Sequence, residues 1–325
     1  MSEKHNTESF AIVLDGNGGI KETLDLDNIN AEIQNLWVHL DYKDERAKDI
    51  LLKLNLESIV TDALCTQTRH TKFYQNDSYT GTFLILRGMN PDSQPKSKDM
   101  TSLRIWIDSG KIVTLCHNYS HSIDSTIKKL QKDGPGPKNS VECFINISQT
   151  SFHNISNATY EIAEKVDRFE EKIIKGKNSY KLSTKIGFLR RQIITIHRYL
   201  LPQKDIFKNL PLSNMFSDNK YKNQFRSLYN DISRSLENLE YSREHIVILQ
   251  EELENKVNIS INNNMYILSV VVAIFTPLTL FSGMLGMNLE GIPFADSKYA
   301  FGAVSIAMLI VALVLFWMMR RRRII

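Results

Sequence analysis

The spacing of apolar positions changes twice along the chain. Over residues 10–145 it is short-period: runs at 10–14, 36–40, 82–87, 103–107 and 111–116 read as strands, punctuated by turns such as Asp15-Gly16-Asn17-Gly18-Gly19. Segments 44–64 and 122–132 between them read as helices, and the breaker Lys132-Asp133-Gly134-Pro135-Gly136-Pro137 marks the late edge of this α/β region. Beyond residue 150 the period lengthens to about 3.5. One stripe runs Phe152, Ile155, Thr159, Ile162, Val166, Phe169, Ile173 and stops at Gly176; a second runs Leu182, Ile186, Leu189, Ile193, Ile196, Leu200 and stops at Pro202. The third occupies Phe225, Tyr229, Ile232, Leu236, Leu239, Arg243, Ile246, Gln250, Leu253 and Val257, with no Gly or Pro to break it. Such repeats belong to long helices packed along their length. Finally, 265–285 and 300–319 contain no Asp, Glu, Lys, Arg or His. At 1.5 Å per residue each reaches roughly 30 Å as a helix, the thickness of a bilayer's hydrocarbon core.

The arginines at 320–323 are expected to stay cytoplasmic, and two spans then return both ends of the chain to that side. The opening MSEKHNTESF is polar with no apolar h-region, so the first 264 residues are expected to be cytoplasmic as well. The expected organisation is a cytoplasmic α/β domain at 1–150, a long-helix and stalk region at 151–264, a pore-lining span at 265–285, a periplasmic loop at 286–299, a second span at 300–319 and a basic tail at 320–325. Because nothing interrupts the third stripe before the first span, the two form one helix, on the order of 100 Å long at 1.5 Å per residue. The stripe has two readings: packing within the chain, and packing between copies along the lower stalk.

Charge and composition narrow the function. The formal +4 of this 325-residue chain comes from 40 basic and 36 acidic residues. Five of the basic residues and two of the acidic ones lie beyond residue 264, leaving 35 against 34 before it. A near-neutral main domain argues against a nucleic-acid partner. Three scattered cysteines form no disulfide framework and no C-x-x-C pair. No G-x-S-x-G, P-loop or H-E-x-x-H pattern supports an enzyme. Cys116, His117 and His121 form a weak metal-like cluster, with the two histidines four apart. His153, His197 and His245 have no ligand partners at useful spacing, and Glu161, Glu164, Asp167, Glu170 and Glu171 read as a solvated helix face.

Two helices cannot enclose a water-filled path, so transport requires several copies. In the first span Asn262, Ser269, Thr276 and Gly283 recur every seven residues, with Thr279 and Gly286 three beyond the last two. That is the polarity of a pore wall, although small and hydroxyl residues also serve close helix packing. The second span is aliphatic with Trp317 near its basic end, as for a lipid-facing helix. Pro277 implies a kink that leaves the Ala273 carbonyl unpaired. With no carboxylate in either span, a divalent ion would keep much of its water and meet hydroxyls and carbonyls.

The stretch YILSVVVAIFTPLTLFSGMLGMNLEGIPF, residues 266–294, resembles the end of the first membrane helix in the CorA superfamily of divalent-cation transporters, including its Gly286-Met287-Asn288 signature. Similarity to the zinc-transporting ZntB branch extends over Phe10-Ala11, 14–19, Trp37-Val38-His39-Leu40, Leu86-Arg87-Gly88-Met89-Asn90, Arg198-Tyr199-Leu200-Leu201-Pro202-Gln203 and Gly291-Ile292-Pro293. The resemblance implies an α+β membrane protein: a homopentamer with an N-terminal α/β/α cytoplasmic funnel domain, long stalk helices and a central pore in a bacterial inner membrane. It implies no tightly bound cofactor. Zn2+ would be the transported ion, with Mg2+, Co2+ and Ni2+ as alternatives, and proton coupling is associated with this branch. Asn288 would engage the hydrated cation at the periplasmic mouth, and Asn262, Met265, Leu268, Thr276, Thr279 and Gly283 would face the axis. The family register selects Leu268 where the seven-residue spacing selects Ser269. Met287 makes the signature that of the magnesium transporters, which keeps a CorA-type magnesium or cobalt channel as an alternative. Glu290 and Asp296 would concentrate cations at the entrance. A non-conducting, membrane-anchored oligomeric scaffold is the rival of another class.

Overall fold

The computed structural model describes residues 8–66, 72–75, 81–90, 100–131, 135–175, 179–287 and 299–321. They form two compact units, 1–250 and 251–325. In the first, seven strands make one mixed sheet: β1 (Phe10–Leu14), β2 (Ile20–Leu24), β3 (Leu36–Leu40), β4 (Lys72–Gln75), β5 (Gly81–Met89), β6 (Met100–Asp108) and β7 (Lys111–Leu115). Their order is β2-β1-β3-β7-β6-β5-β4, antiparallel throughout except for the β3–β7 pair. The central strands are covered on both faces, which is why they read as continuous apolar runs. Leu36, Val38, Leu40, Ile85, Val113 and Leu115 pack with helices α1 (Ala47–Lys53) and α2 (Ser58–Cys65). Against β5, β6 and β7 lies α4 (Ser140–Ile174), which also packs on α3 (His121–Gln131) and α5 (Ser179–Asn209). This is the expected α/β/α sandwich.

Three local expectations need correction. The single helix over 44–64 is two, because Asn55 adopts the left-handed conformation (φ 57°) and its N–H closes onto the Leu52 carbonyl at 3.0 Å. The first long stripe begins at Ser140, where the Asn139 side chain accepts the Glu142 N–H at 2.9 Å and caps the helix. Pro202 does not end α5, which continues to Asn209. There Gln203 donates to the Tyr199 carbonyl at 2.9 Å, while Ile206 and Phe207 bury the following turn.

Gln203 also joins sheet to helices. Fully buried, it accepts the Arg87 N–H at 3.0 Å and donates to the Arg87 carbonyl at 3.3 Å, beyond the last residue of β5 that pairs with β4, Ile85. The guanidinium groups of Arg87 and Arg198 lie 5.3 and 4.8 Å from the Tyr199 ring centre. At Gly88 a Cβ would meet Ser151 Oγ on α4, so a side chain there would require the serine to shift. Asn90 accepts the His121 N–H at 2.9 Å at the head of α3. The segments 86–90 and 198–203 thus meet in one joint. At the other end, Asp15 accepts N–H groups from Asn17, Gly18 and Gly19 at 2.7–2.9 Å, which hold its carboxyl below the usual range. Gly18 (φ 109°) lies where a Cβ would meet the Gly136 backbone at 2.8 Å.

Helix α6 (Asn219–Leu285) is unbroken over 67 residues. Its first part is fixed by an aromatic cluster in which Phe225 stands 5.9 Å from Phe144, 6.3 Å from Phe207 and 5.0 Å from Phe216, ring centre to centre. Higher up, His197 reaches Glu240 and His245 reaches Glu170, each at 3.5 Å, and Arg190 donates to Gln250 at 3.2 Å. Ile232, Leu239 and Ile246 are buried beneath these ties, so the stripe over this part is covered within the chain. Leu253 is buried as well, whereas Val257, Ile259 and Ile261 are exposed. In the second unit, the last part of α6 and helix α7 (Ala300–Arg321) are long and apolar enough to cross a membrane, and both lie exposed. The Arg321 guanidinium lies 5.2 Å from the Trp317 ring centre at the end of α7.

Candidate cation path

A helix that crosses hydrocarbon must satisfy its own backbone, and Pro277 removes one donor from α6. Thr276 Oγ1 donates to the Val272 carbonyl at 2.7 Å and Thr279 Oγ1 to the Phe275 carbonyl at 2.8 Å, flanking the proline. Ser269 Oγ donates to the Met265 carbonyl at 2.9 Å. Each hydroxyl proton is spent inside the helix. What these three side-chain oxygens turn outward is lone pairs, so the hydroxyls of this face are placed to accept hydrogen bonds.

These groups share a face. At about 100° per residue, Met265 and Gly283 have the same azimuth, with Thr276 about 20° to one side and Thr279 about 40° to the other. Leu268 and Ser269 flank that line on opposite sides, and Asn262 lies within about 60° of it. The two registers for the path therefore differ only in which edge of one face they name. All seven positions are exposed in the single chain. Thr276, Thr279, Gly283 and Met287 line a shallow hollow with Val272 and Phe275. A Cβ on Gly283 would meet nothing within 4 Å. The helix closes with the Gly286 N–H on the Ser282 carbonyl at 2.9 Å, and the partial negative charge of a helix C-terminus favours a cation there. Asn288, Glu290 and Asp296, assigned to the mouth, lie outside the described residues, as do Arg322 and Arg323.

The structure disperses the weak metal cluster. Cys116 is buried, 3.1 Å from the Asn118 carbonyl and 3.7 Å from His39 Nε2, and burial pushes its thiol up to about 12. His117 pairs with Asp41 at 2.9 Å, and His121 turns to Asn154 at 3.3 Å. Among the described residues no group of three His, Cys, Asp or Glu is placed to hold a metal ion. The acidic face of α4 is largely taken up by exposed pairs: Glu161 with Lys165, Glu164 with Arg168 and Glu171 with Lys175.

Two buried polar groups escaped the sequence reading. His39 is fully buried, its Nδ1 2.8 Å from Thr114 Oγ1, which also accepts from Trp37 Nε1 at 3.0 Å; burial holds this imidazole down to about 4. Arg104 is fully buried beneath the Tyr42 ring, 3.5 Å from its centre, and donates to the Leu64 carbonyl. The only available signal was a basic residue inside an apolar strand.

The described residues thus join a mixed-sheet domain, through one helix, to an uncharged, hydroxyl-faced stretch and a second apolar helix, each long enough to cross a membrane. The chain belongs to the CorA-like Mg2+ transporter protein family, whose model matches residues 32–321, and it is a divalent-cation transporter of that family. It is 26% identical to the zinc transport protein ZntB of Yersinia pseudotuberculosis serotype O:1b (strain IP 31758), over 97% of this chain and 95% of that one. It is 27% identical to the divalent cation transporter CmaX of Pseudomonas aeruginosa, over 97% and 96% of the two chains. The solved structure of full-length CmaX matches the fold with a TM-score of 0.79 at 24% identity, covering 99% of each chain.

Proposed function

We propose that five copies of this chain arrange the hydroxyl face of α6 around a central axis and carry Zn2+ across a bacterial inner membrane, with both chain ends cytoplasmic. The row of hydroxyl acceptors on that face carries this reading. A hydrated cation points the oxygens of its waters inward and their hydrogens outward, so a path lined by lone pairs suits a metal that keeps its water, and charged ligands are not needed. Met265 and Leu268 form the apolar stretch of the same face, suited to closing the path by excluding water. Asn288 engages the hydrated ion at the mouth, and Glu290 and Asp296 raise its local concentration. The membrane potential favours inward movement of a divalent ion by about 2 × 2.3 kcal/mol per 100 mV. Neither span carries a titratable carboxylate or histidine, so proton coupling would use the cytoplasmic domain, the loop or a co-permeating species.

Zinc is favoured by the ZntB relatives. The magnesium alternative is favoured by Met287 and by the family's own description. Flux into proteoliposomes, with zinc competed by magnesium, cobalt and nickel, decides between them. Saturable zinc uptake that falls in Asn288→Ala and in Thr276→Val/Thr279→Val supports the reading. Absent uptake, with wild type and Asn288→Ala alike, would leave a membrane-anchored scaffold.

A further inference from the structure

Within the first unit, a cleft of about 600 Å3 opens between α3, α4 and the early part of α6. This is within the size range of small-molecule sites, roughly 300–1,000 Å3. Its lining is unlike the apolar hollow on α6. His121, Ser125 and Lys129 recur at four-residue spacing along one face of α3, His153 and Ser156 face them from α4, and Asp231 stands on the α6 wall.

The donors are set by their neighbours. Asn154, only 8% exposed, donates through Nδ2 to the Met89 carbonyl at 3.0 Å, which fixes the orientation of its amide. The same nitrogen lies 3.3 Å from His121 Nδ1, so that ring atom accepts and the His121 proton sits on Nε2 as a donor. Asn146 accepts from the Lys129 ammonium and anchors it at the rim. One wall therefore gathers an ammonium, an imidazole N–H and a hydroxyl, the donor set of an oxyanion site. Across from it, the Asp231 carboxylate can accept from hydroxyl or amino groups. Because no three His, Cys, Asp or Glu side chains converge here, the lining does not suit a bare metal ion.

We infer that this cleft binds a phosphate-bearing small molecule of nucleotide size, with the phosphate on the α3 wall and its polar body toward Asp231. Calorimetry on the full chain in nanodiscs, with EDTA present, tests this using ATP as probe and adenosine as control. Saturable ATP binding that weakens about tenfold in Lys129→Ala, with little binding of adenosine, is expected. Lys129 is exposed, so the variant should melt with the wild type. No ATP binding, equal binding of adenosine, or unchanged ATP affinity in Lys129→Ala would each overturn the assignment.

Discussion

Acidification should loosen the sheet through His39. Its imidazole sits on β3 with no exposed surface, between Thr114 Oγ1 at 2.8 Å and Cys116 Sγ at 3.7 Å, and burial lowers its pKa from 6.5 to about 4. A histidine that titrates lower when folded must give up its proton on folding, so acid favours the unfolded chain. This contribution is complete above about pH 6.5, declines as pH falls below that value and stops changing near pH 4, where the folded ring also protonates. At 1.36 kcal/mol per pH unit the full span is about 3 kcal/mol, of which about 2 is lost by pH 5. The measurement is amide exchange of Trp37–Leu40 in the full chain, corrected for intrinsic rates, at pH 7.5 and 5.0. His39→Gln, which keeps a polar group beside Thr114 but cannot titrate, should lose about 2 kcal/mol less than wild type over that interval. Equal losses in the two proteins would show that the ring is protonated in place, and the buried-neutral assignment would be wrong.

Two further outcomes test the joints. Phe225→Ala should cost about 4 kcal/mol, because it empties a site ringed by Phe144, Phe207 and Phe216, whereas Phe225→Leu should cost about 1.5; denaturant melts that rank the two equally would refute the cluster's role. Gln203→Ala strips both Arg87 backbone groups of their side-chain partner and should destabilise by about 2–3 kcal/mol, seen first as faster exchange at the Arg87 amide.

Much of the fold was legible because burial on both faces leaves few alternatives. The strands at 10–14 and 36–40 stand where their apolar runs lie, and the span at 300–319 becomes α7 with two added arginines. The polar strands escaped: β2, Ile20–Leu24, exposes its central Lys21, Glu22 and Thr23 at the sheet edge, so nothing in its pattern demands pairing. Helix ends escaped for a different reason. Asn55 breaks a periodic run through its own backbone, while Pro202 fails to break one because Gln203 and Phe207 hold the chain beyond it. The stalk stripe could be read as packing within or between copies. Its burial through Leu253 moves any test of assembly to Val257 and Ile261, because a charge at Leu253 would strike the protomer itself.

The candidate site divides along the same line between position and direction. Seven-residue spacing shows that Ser269, Thr276 and Gly283 share a face; it cannot show that each hydroxyl hydrogen points back into the helix, which makes the face an acceptor. Conversely, nearness in sequence misled at Cys116, His117 and His121. At the end of an extended strand, successive side chains point to opposite sides, so Cys116 goes under the sheet toward His39 while His117 turns out to Asp41. His121 then opens a helix whose first N–H is already taken by Asn90, and its ring is drawn toward Asn154 on α4. Three potential ligands separated by so few residues are thus carried to three environments. If zinc acts on the cytoplasmic domain at all, it must find ligands other than this trio.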